Sequence, residues 1–300
     1  MSFSSGAKAE LCRDRCERKD LALAESYGVL LYCHSFSARE IRVITASPDF
    51  AARLPRLFKR AFQLDFDVLP DAGAAGKRSL VIRDEKKLSR IFEAFGMERL
   101  GSLSHHINYG VLEEDAARAA FIRGAFLAGG SVTDPEKRYH LELATAHRSV
   151  SREAHSLLLE MGFSPRETER AGNALLYFKQ ADAIADFFTA IGAPTTALAV
   201  MTAKVDKEMR NTVTRQINCD TANADKTVAA AQEQLAAIRR IVKEYGTLDV
   251  LPEPLRDAAL LRVTNPEASL ADLAVLSVPP VTKSCLSHRL KKIMSLAPKE

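Results

Sequence analysis

The chain carries an internal repeat, and a repeat restricts the available architectures more than composition does. Gly28 lies at the centre of Ala24-Glu-Ser-Tyr-Gly-Val-Leu-Leu-Tyr32. Gly124, 96 residues later, lies at the centre of Ala120-Phe-Ile-Arg-Gly-Ala-Phe-Leu-Ala128. Leu80-Val-Ile82 and Leu176-Tyr-Phe178 keep that offset, as do Ala94-Phe-Gly-Met97 and Ala190-Ile-Gly-Ala193. Each half therefore reads as the same unit.

The unit opens on an apolar helix with a central glycine. A β run follows at 40–45 and again at 138–145, then a helix at 49–62 and 151–161. A hairpin comes next, pairing 66–69 with 79–83 and 167–170 with 174–179. Its turns, at 71–77 and 171–173, are rich in glycine, alanine and other small residues. A last helix at 85–95 and 181–191 closes each unit. The order is α-β-α-β-β-α, with room for one extra strand in the first run.

A glycine inside a helix costs roughly 1 kcal/mol relative to alanine, so it needs a packing reason. Ala24 and Gly28 on one helix, and Ala120, Gly124 and Ala128 on the other, are small residues at one-turn spacing. They predict two helices packed backbone to backbone around a pseudo-twofold axis, their sheets forming one saddle. A membrane helix pair uses the same device, but the polar flanks and the short apolar runs argue against a span of roughly 18 residues.

After Pro194 the pattern changes. Residues 195–218 are polar and helical, and 222–244 read as a long alanine-rich helix ended by Gly246. A further helix starts at Pro252 and Pro254 and breaks at Asn265-Pro266. Ser269 then caps a short helix whose apolar face is Leu270, Leu273 and Ala274. A proline-bearing turn leads to a last helix with Leu286, Leu290 and Ile293 as its buried stripe. Its other face carries Lys283, Ser284, Ser287, His288, Lys291 and Lys292, with Arg289 beside it.

This pattern predicts a helix-turn-helix that binds double-stranded DNA. Thr282, Ser284 and Ser287 are short polar groups near the helix start, where base edges are read, and Ser269 joins them on the preceding helix. Lys283, His288, Arg289, Lys291 and Lys292 suit phosphate. The turn is longer than the usual three or four residues.

The fold expected is thus α+β: a duplicated αβαββα saddle followed by an all-α helix-turn-helix domain. The repeats span 1–100 and 101–195, a linker 196–222, and the DNA-binding domain 223–300. The basic residues Lys59, Arg60, Lys77, Arg78, Lys86, Lys87 and Arg90 in the first repeat read as a solvated face, a phosphate-tracking surface or a partner site. A regulatory protein partner is a further expectation. The internal symmetry makes a monomer sufficient.

Other chemistry is thin. Five cysteines are scattered and odd in number, which fits reduced thiols. Cys12 and Cys16 are four apart and share a face if the chain is helical there. His105-His106 reads as a linker loop. No metal, cofactor or phosphate-loop motif stands out. Trp is absent, so no base-stacking platform for single strands is expected. The net charge of +4 is compatible with nucleic acid. Residues 1–10 lack the apolar stretch of a secretory signal, which places the chain in the cytoplasm, near the nucleoid if it binds DNA.

Two resemblances sharpen this reading. Phe121-Ile-Arg-Gly-Ala-Phe-Leu-Ala-Gly-Gly-Ser-Val132 resembles the LAGLIDADG helix of homing endonucleases, and 26–36 is a weaker copy. That family implies one Asp or Glu per repeat, holding a divalent metal over the scissile phosphates. Here Cys33 and Gly129 occupy the two positions, so the resemblance implies a nuclease scaffold without its carboxylates and a protein that is not an enzyme. A metal-dependent endonuclease remains the alternative, with Asp134 or Glu40 as ligands; a protein-interaction scaffold is another.

The whole chain resembles the WhiA family of bacterial regulators. The specific marks are residues 121–131, Arg215-Gln-Ile-Asn-Cys-Asp-Thr-Ala-Asn223 and Ser287-His-Arg-Leu-Lys-Lys-Ile293. That resemblance implies transcription regulation in cell division and chromosome segregation, sporulation in spore formers, and DNA binding mainly through the C-terminal domain.

Overall fold

A computed structural model describes residues 2–71, 76–97 and 104–298. The chain divides into two units, residues 1–208 and 209–300.

The first unit begins with α1 (Phe3–Leu11), α2 (Lys19–Tyr32), β1 (Ser35–Phe36), β2 (Ile41–Thr45), α3 (Pro48–Phe62), β3 (Arg78–Ile82) and α4 (Glu85–Ala94). The second repeat follows: α5 (Asp115–Gly129), β4 (Gly130–Val132), β5 (Leu141–Thr145), α6 (Arg148–Glu160), β6 (Arg166–Arg170), β7 (Asn173–Phe178) and α7 (Ala181–Ile191). Both sheets are antiparallel, ordered β1-β2-β3 and β4-β5-β7-β6.

The repeat is visible in the register. Thr45 pairs with Arg78 and Thr145 with Ala174, so equivalent pairs open both ladders. The offset is 96 at β3 and β7 but 100 at β2 and β5, because the connection before β5 is longer. A constant 96 therefore holds for the glycine helices and the ends of the repeats, not for their middles.

Every residue of α2 from Ala24 to Tyr32 is buried, as are Ala120–Ile122 and Gly124–Leu127 of α5. A helix buried on all sides belongs at the centre of its unit. One apolar cluster runs through both repeats around these two helices.

Several local expectations change. A short strand follows each glycine helix, so the second repeat reads α-β-β-α-β-β-α. Residues 66–69 form no strand. They contribute a single bridge, Val68 to Val81. Asp67 turns its carboxylate back to accept the Arg83 and Asp84 N–H groups at 2.6 and 2.8 Å, and Pro70 then ends the pairing edge. Part of the expected 71–77 turn, and part of the loop before His105, lie outside the described residues.

At the N-terminus, Ser2 caps α1, which buries Ala7 and Leu11. Lys8 donates from Nζ to the Leu127 carbonyl at 3.0 Å, satisfying a free carbonyl in the last turn of α5. Because α1 stops at Leu11, Cys12 and Cys16 share no helix face; Cys16 adopts a left-handed conformation in the loop.

Helix α8 (Pro194–Tyr245) is continuous. The two helices expected on either side of residue 220 are one, and 196–222 is helical throughout. Nothing in Asp220-Thr221-Ala222 breaks an i to i+4 ladder. Residues 208–229 are all exposed.

In the second unit, α9 (Glu253–Thr264), α10 (Leu270–Leu276) and α11 (Lys283–Leu296) enclose a small core with Ile238 and Ile241 from the end of α8. No helix among the described residues is long and apolar enough to cross a membrane.

Candidate nucleic-acid interface

Helix α11 separates two chemistries. Leu286, Leu290 and Ile293 are buried against α9 and α10. Thr282, Lys283, Ser284, His288, Lys291 and Lys292 are exposed, and Ser287 and Arg289 are half-buried beside the apolar stripe. The helix has no acidic residue. None of its Lys or Arg side chains has a partner among the described residues. Unpaired cations on a face that carries no acid offer a ready surface for phosphate.

The local sequence places these groups. Thr282 is the N-cap, its Oγ1 accepting the Cys285 N–H at 3.2 Å. Ser269 and Asp272 form a capping box at the start of α10. The Ser269 hydroxyl is therefore engaged within its own helix, with Oγ donating to Asp272 at 2.7 Å. Residues 277–282 join the helices, and the Val281 N–H returns to the Ala274 carbonyl at 3.1 Å. Six residues thus make a tied connection and not a loose loop.

Arg262 holds this arrangement and was not legible as a site residue. It is buried, donates from Nε to Gln234 of α8 at 2.9 Å, and reaches the Ala268 carbonyl at 2.6 Å and the Asn265 carbonyl at 3.4 Å. One guanidinium fixes the end of α9, the approach to Ser269 and the last part of α8. The signal for it in the sequence is a lone Arg on the apolar side of α9.

At the other candidate site, the two positions that the motif resemblance assigns to carboxylates, Cys33 and Gly129, fall at the ends of α2 and α5. Cys33 lies just past α2, with the Leu30 and Ser35 carbonyl oxygens both 3.2 Å from Sγ and sharing its one S–H. Burial pushes its thiol up to about 12. Gly129 has no room for a side chain, because a Cβ there overlaps the Ala144 carbonyl oxygen and crowds the Tyr32 ring at 3.1 Å. The residues present do not fit a divalent metal, which needs hard oxygen donors.

Neither alternative acid converges on that place. Glu40 pairs with Arg42 and Arg83, whose hydrogen bonds pull its carboxyl down to about 2. Asp134 accepts the Glu136 N–H in its own turn at 3.0 Å. Among the described residues no three His, Cys, Asp or Glu side chains cluster as a metal site.

The small residues of the glycine helices do come together. Gly28 and Gly124 face each other's helix backbones, Ala24 and Ala120 are fully buried, and Ala128 is half-buried against the core. Next to them lies a network that composition hid. Glu25, buried in α2, accepts Arg53 at 2.7 and 2.8 Å and Arg123 of α5 at 2.9 Å. Arg123 also reaches Asp14 at 2.8 Å. An acid within an apolar helix was the available signal.

The His105-His106 loop has partners rather than hanging free. His105 stacks on Phe36 and meets His147 edge-on, and His106 pairs with Glu153 at 2.6 Å. In the first repeat, Lys59 pairs with Asp65 and Lys87 with Asp67, so part of the expected basic face is neutralised.

Residues 118–210 match the WhiA LAGLIDADG-like domain and residues 213–297 the WhiA C-terminal helix-turn-helix domain. A probable cell division protein WhiA from Clostridium perfringens is 35% identical over 99% of this chain and 98% of its own. That from Alkaliphilus metalliredigens is 34% identical over 100% of this chain and 98% of its own. The fold is similar to full-length DUF199/WhiA of Thermotoga maritima, with a TM-score of 0.61 at 24% identity over the whole of both chains. With a LAGLIDADG-like domain, a helix-turn-helix after it, and full-length relatives above 30% identity, this chain belongs to the WhiA family.

Proposed function

We propose that this chain binds double-stranded DNA through α11 and acts as a transcription regulator in cell division, without cutting the DNA it binds. The observation that carries the reading is the division of α11 into a buried Leu286, Leu290 and Ile293 stripe and an acid-free face of hydroxyls and cations. Thr282, Ser284 and Ser287 stand at the helix start, where base edges are read. Lys283, His288, Arg289, Lys291 and Lys292 serve phosphate. Ser269 supports the site as a cap, since its hydroxyl is engaged by Asp272.

The role in cell division rests on the names of the relatives. Chromosome segregation, sporulation in spore formers, and a cytoplasmic, nucleoid-associated location are finer parts of the same proposal. The absence of cleavage rests on Cys33 and Gly129, where the scaffold lacks room and oxygen donors for metal-assisted hydrolysis.

The test is binding of the full chain to genomic duplex fragments over a range of salt, with and without magnesium. Arg289→Ala with Lys292→Ala lowers affinity on all sequences alike and reduces the salt slope by about two, roughly one for each phosphate-binding cation removed. Ser284→Ala with Ser287→Ala relaxes sequence preference instead. Unchanged affinity in the first variant removes α11 from the interface, and magnesium-dependent nicking of plasmid by highly purified protein returns the function to the LAGLIDADG-like unit.

A further inference from the structure

A cavity of about 440 Å³ opens between the loop after α1 and the outer side of α3. Its lining includes five arginines: Arg13 and Arg15 from the loop, and Arg53, Arg56 and Arg60 from α3. The last three are spaced by three and four residues, so α3 turns one stripe of guanidinium groups toward the cavity.

The walls are built. Arg53 is buried, bidentate on Glu25, and donates to the Cys12 and Asp14 carbonyls of the loop. Arg60 donates to the Glu17 carbonyl. These bonds seat the loop on α3. Arg13, Arg15 and Arg56 are exposed, and no side-chain partner among the described residues engages them.

The charge is one-sided. Asp14 is engaged by Arg123 and by the Cys16 N–H. Glu25 neutralises Arg53. Burial pushes the Cys12 and Cys16 thiols up to about 12 and about 11, so they add no negative charge. Among the lining acids Glu17 alone remains against Arg13, Arg15, Arg56 and Arg60, with Asp49 near Cys12 outside the lining. Guanidinium groups bind phosphoryl oxygens in bidentate pairs. No aromatic side chain lines the cavity, so it offers no aromatic platform for a base. Its size falls in the small-ligand range of roughly 300–1,000 Å³.

We propose that this cavity binds a compact polyphosphate anion, a diphosphate or triphosphate group that is free or terminates a metabolite. Its phosphoryl oxygens pair with Arg13, Arg15, Arg56 and Arg60. Occupancy ties the α1–α2 loop to α3 and, through Asp14 and Arg123, to the second repeat. The site does not depend on α11 or on the DNA-binding reading.

The probes are pyrophosphate and tripolyphosphate, with orthophosphate and sulfate beside them, in titration calorimetry and thermal unfolding of the full chain at low salt without magnesium. Saturable binding of the polyphosphates raises Tm as mass action requires. Arg13→Ala with Arg56→Ala weakens binding by at least about tenfold, the loss expected from removing charge-assisted pairs. Ligand-free Tm stays unchanged because both side chains are exposed. Duplex affinity also stays unchanged in this variant. No saturable binding at millimolar tripolyphosphate, or equal binding by the variant, overturns the proposal. So does loss of duplex binding in the variant with tripolyphosphate competing for it, which makes the arginines a DNA-backbone contact.

Discussion

Gly28 and Gly124 make the same contact in opposite directions. A Cβ on Gly28 overlaps the Phe121 carbonyl oxygen, and a Cβ on Gly124 overlaps the Glu25 carbonyl oxygen. Phe121 follows Glu25 by the same 96 residues that separate the two glycines. The next neighbours agree too, with Ala125 N at 2.8 Å from the first Cβ and Val29 N at 3.0 Å from the second. This is a pseudo-twofold axis written in backbone atoms. Side chains cannot yield here, since the blocking atoms are main chain on both sides.

Gly124→Ala and Gly28→Ala therefore each destabilise the protein by about 1–3 kcal/mol, the usual cost of overpacking, despite the better helix propensity of alanine. Chemical denaturation of the full chain, following the LAGLIDADG-like unit, measures it. A stability gain in either variant contradicts the close approach.

Restoring carboxylates to the scaffold does not restore a nuclease. Cys33→Asp with Gly129→Asp places one side chain against the Ala144 carbonyl oxygen and the Tyr32 ring. The variant loses about 1–3 kcal/mol or more of stability by overpacking alone, and supercoiled plasmid stays intact in magnesium or manganese. Metal-dependent cleavage by a folded double variant shows that the backbone relaxes to make a site.

Arg262→Ala unties three elements at once. It leaves Gln234 and the Ala268 carbonyl without their donor, and the helical unit loses about 3 kcal/mol, as for other buried charged hydrogen bonds broken on one side. Arg262→Lys recovers only part of this, because an ammonium has no planar fork. DNA affinity falls with the folded fraction in the alanine variant. Equal urea midpoints for wild type and Arg262→Ala contradict the role.

Acid acts through His147. Burial, with His105 adding like-charge repulsion, lowers its pKa from 6.5 to about 4. Above pH 6.5 the ring is neutral in folded and unfolded chains alike and costs nothing. As pH falls from 6.5 towards 4 the unfolded chain takes up the proton first, and stability is lost over that window. His147→Gln removes this component, so its urea midpoint declines less steeply than that of wild type between pH 6.5 and 4. Parallel pH profiles refute the assignment.

Much of this was legible in the chain. Spacing alone located the glycine helices, the β runs at 40–45 and 79–83, and the stripe of Leu286, Leu290 and Ile293, but not that the two β runs pair with each other. These depend on period and on small residues, which are local properties. The pairing of 66–69 with 79–83 shrinks to the Val68–Val81 bridge, with the Asp67 carboxylate spent on the Arg83 and Asp84 N–H groups. The single helix α8 was read as two because weak helix formers near residue 220 suggest a break without imposing one.

Sequence by itself determined that there are two copies of one unit, that their helices approach at glycine, and that the last helix divides apolar from basic. Only the tertiary structure decided that Gly129 has no space for a carboxylate, that Glu25 is shared between Arg53 and Arg123, and that Arg262 joins α8 to the approach to α10. The bonds of Glu25 to its two arginines, and of Arg262 to Gln234, join residues 28 to 98 positions apart. Periodicity reports which face of an element is apolar, but not which backbone atom of another element stands opposite it.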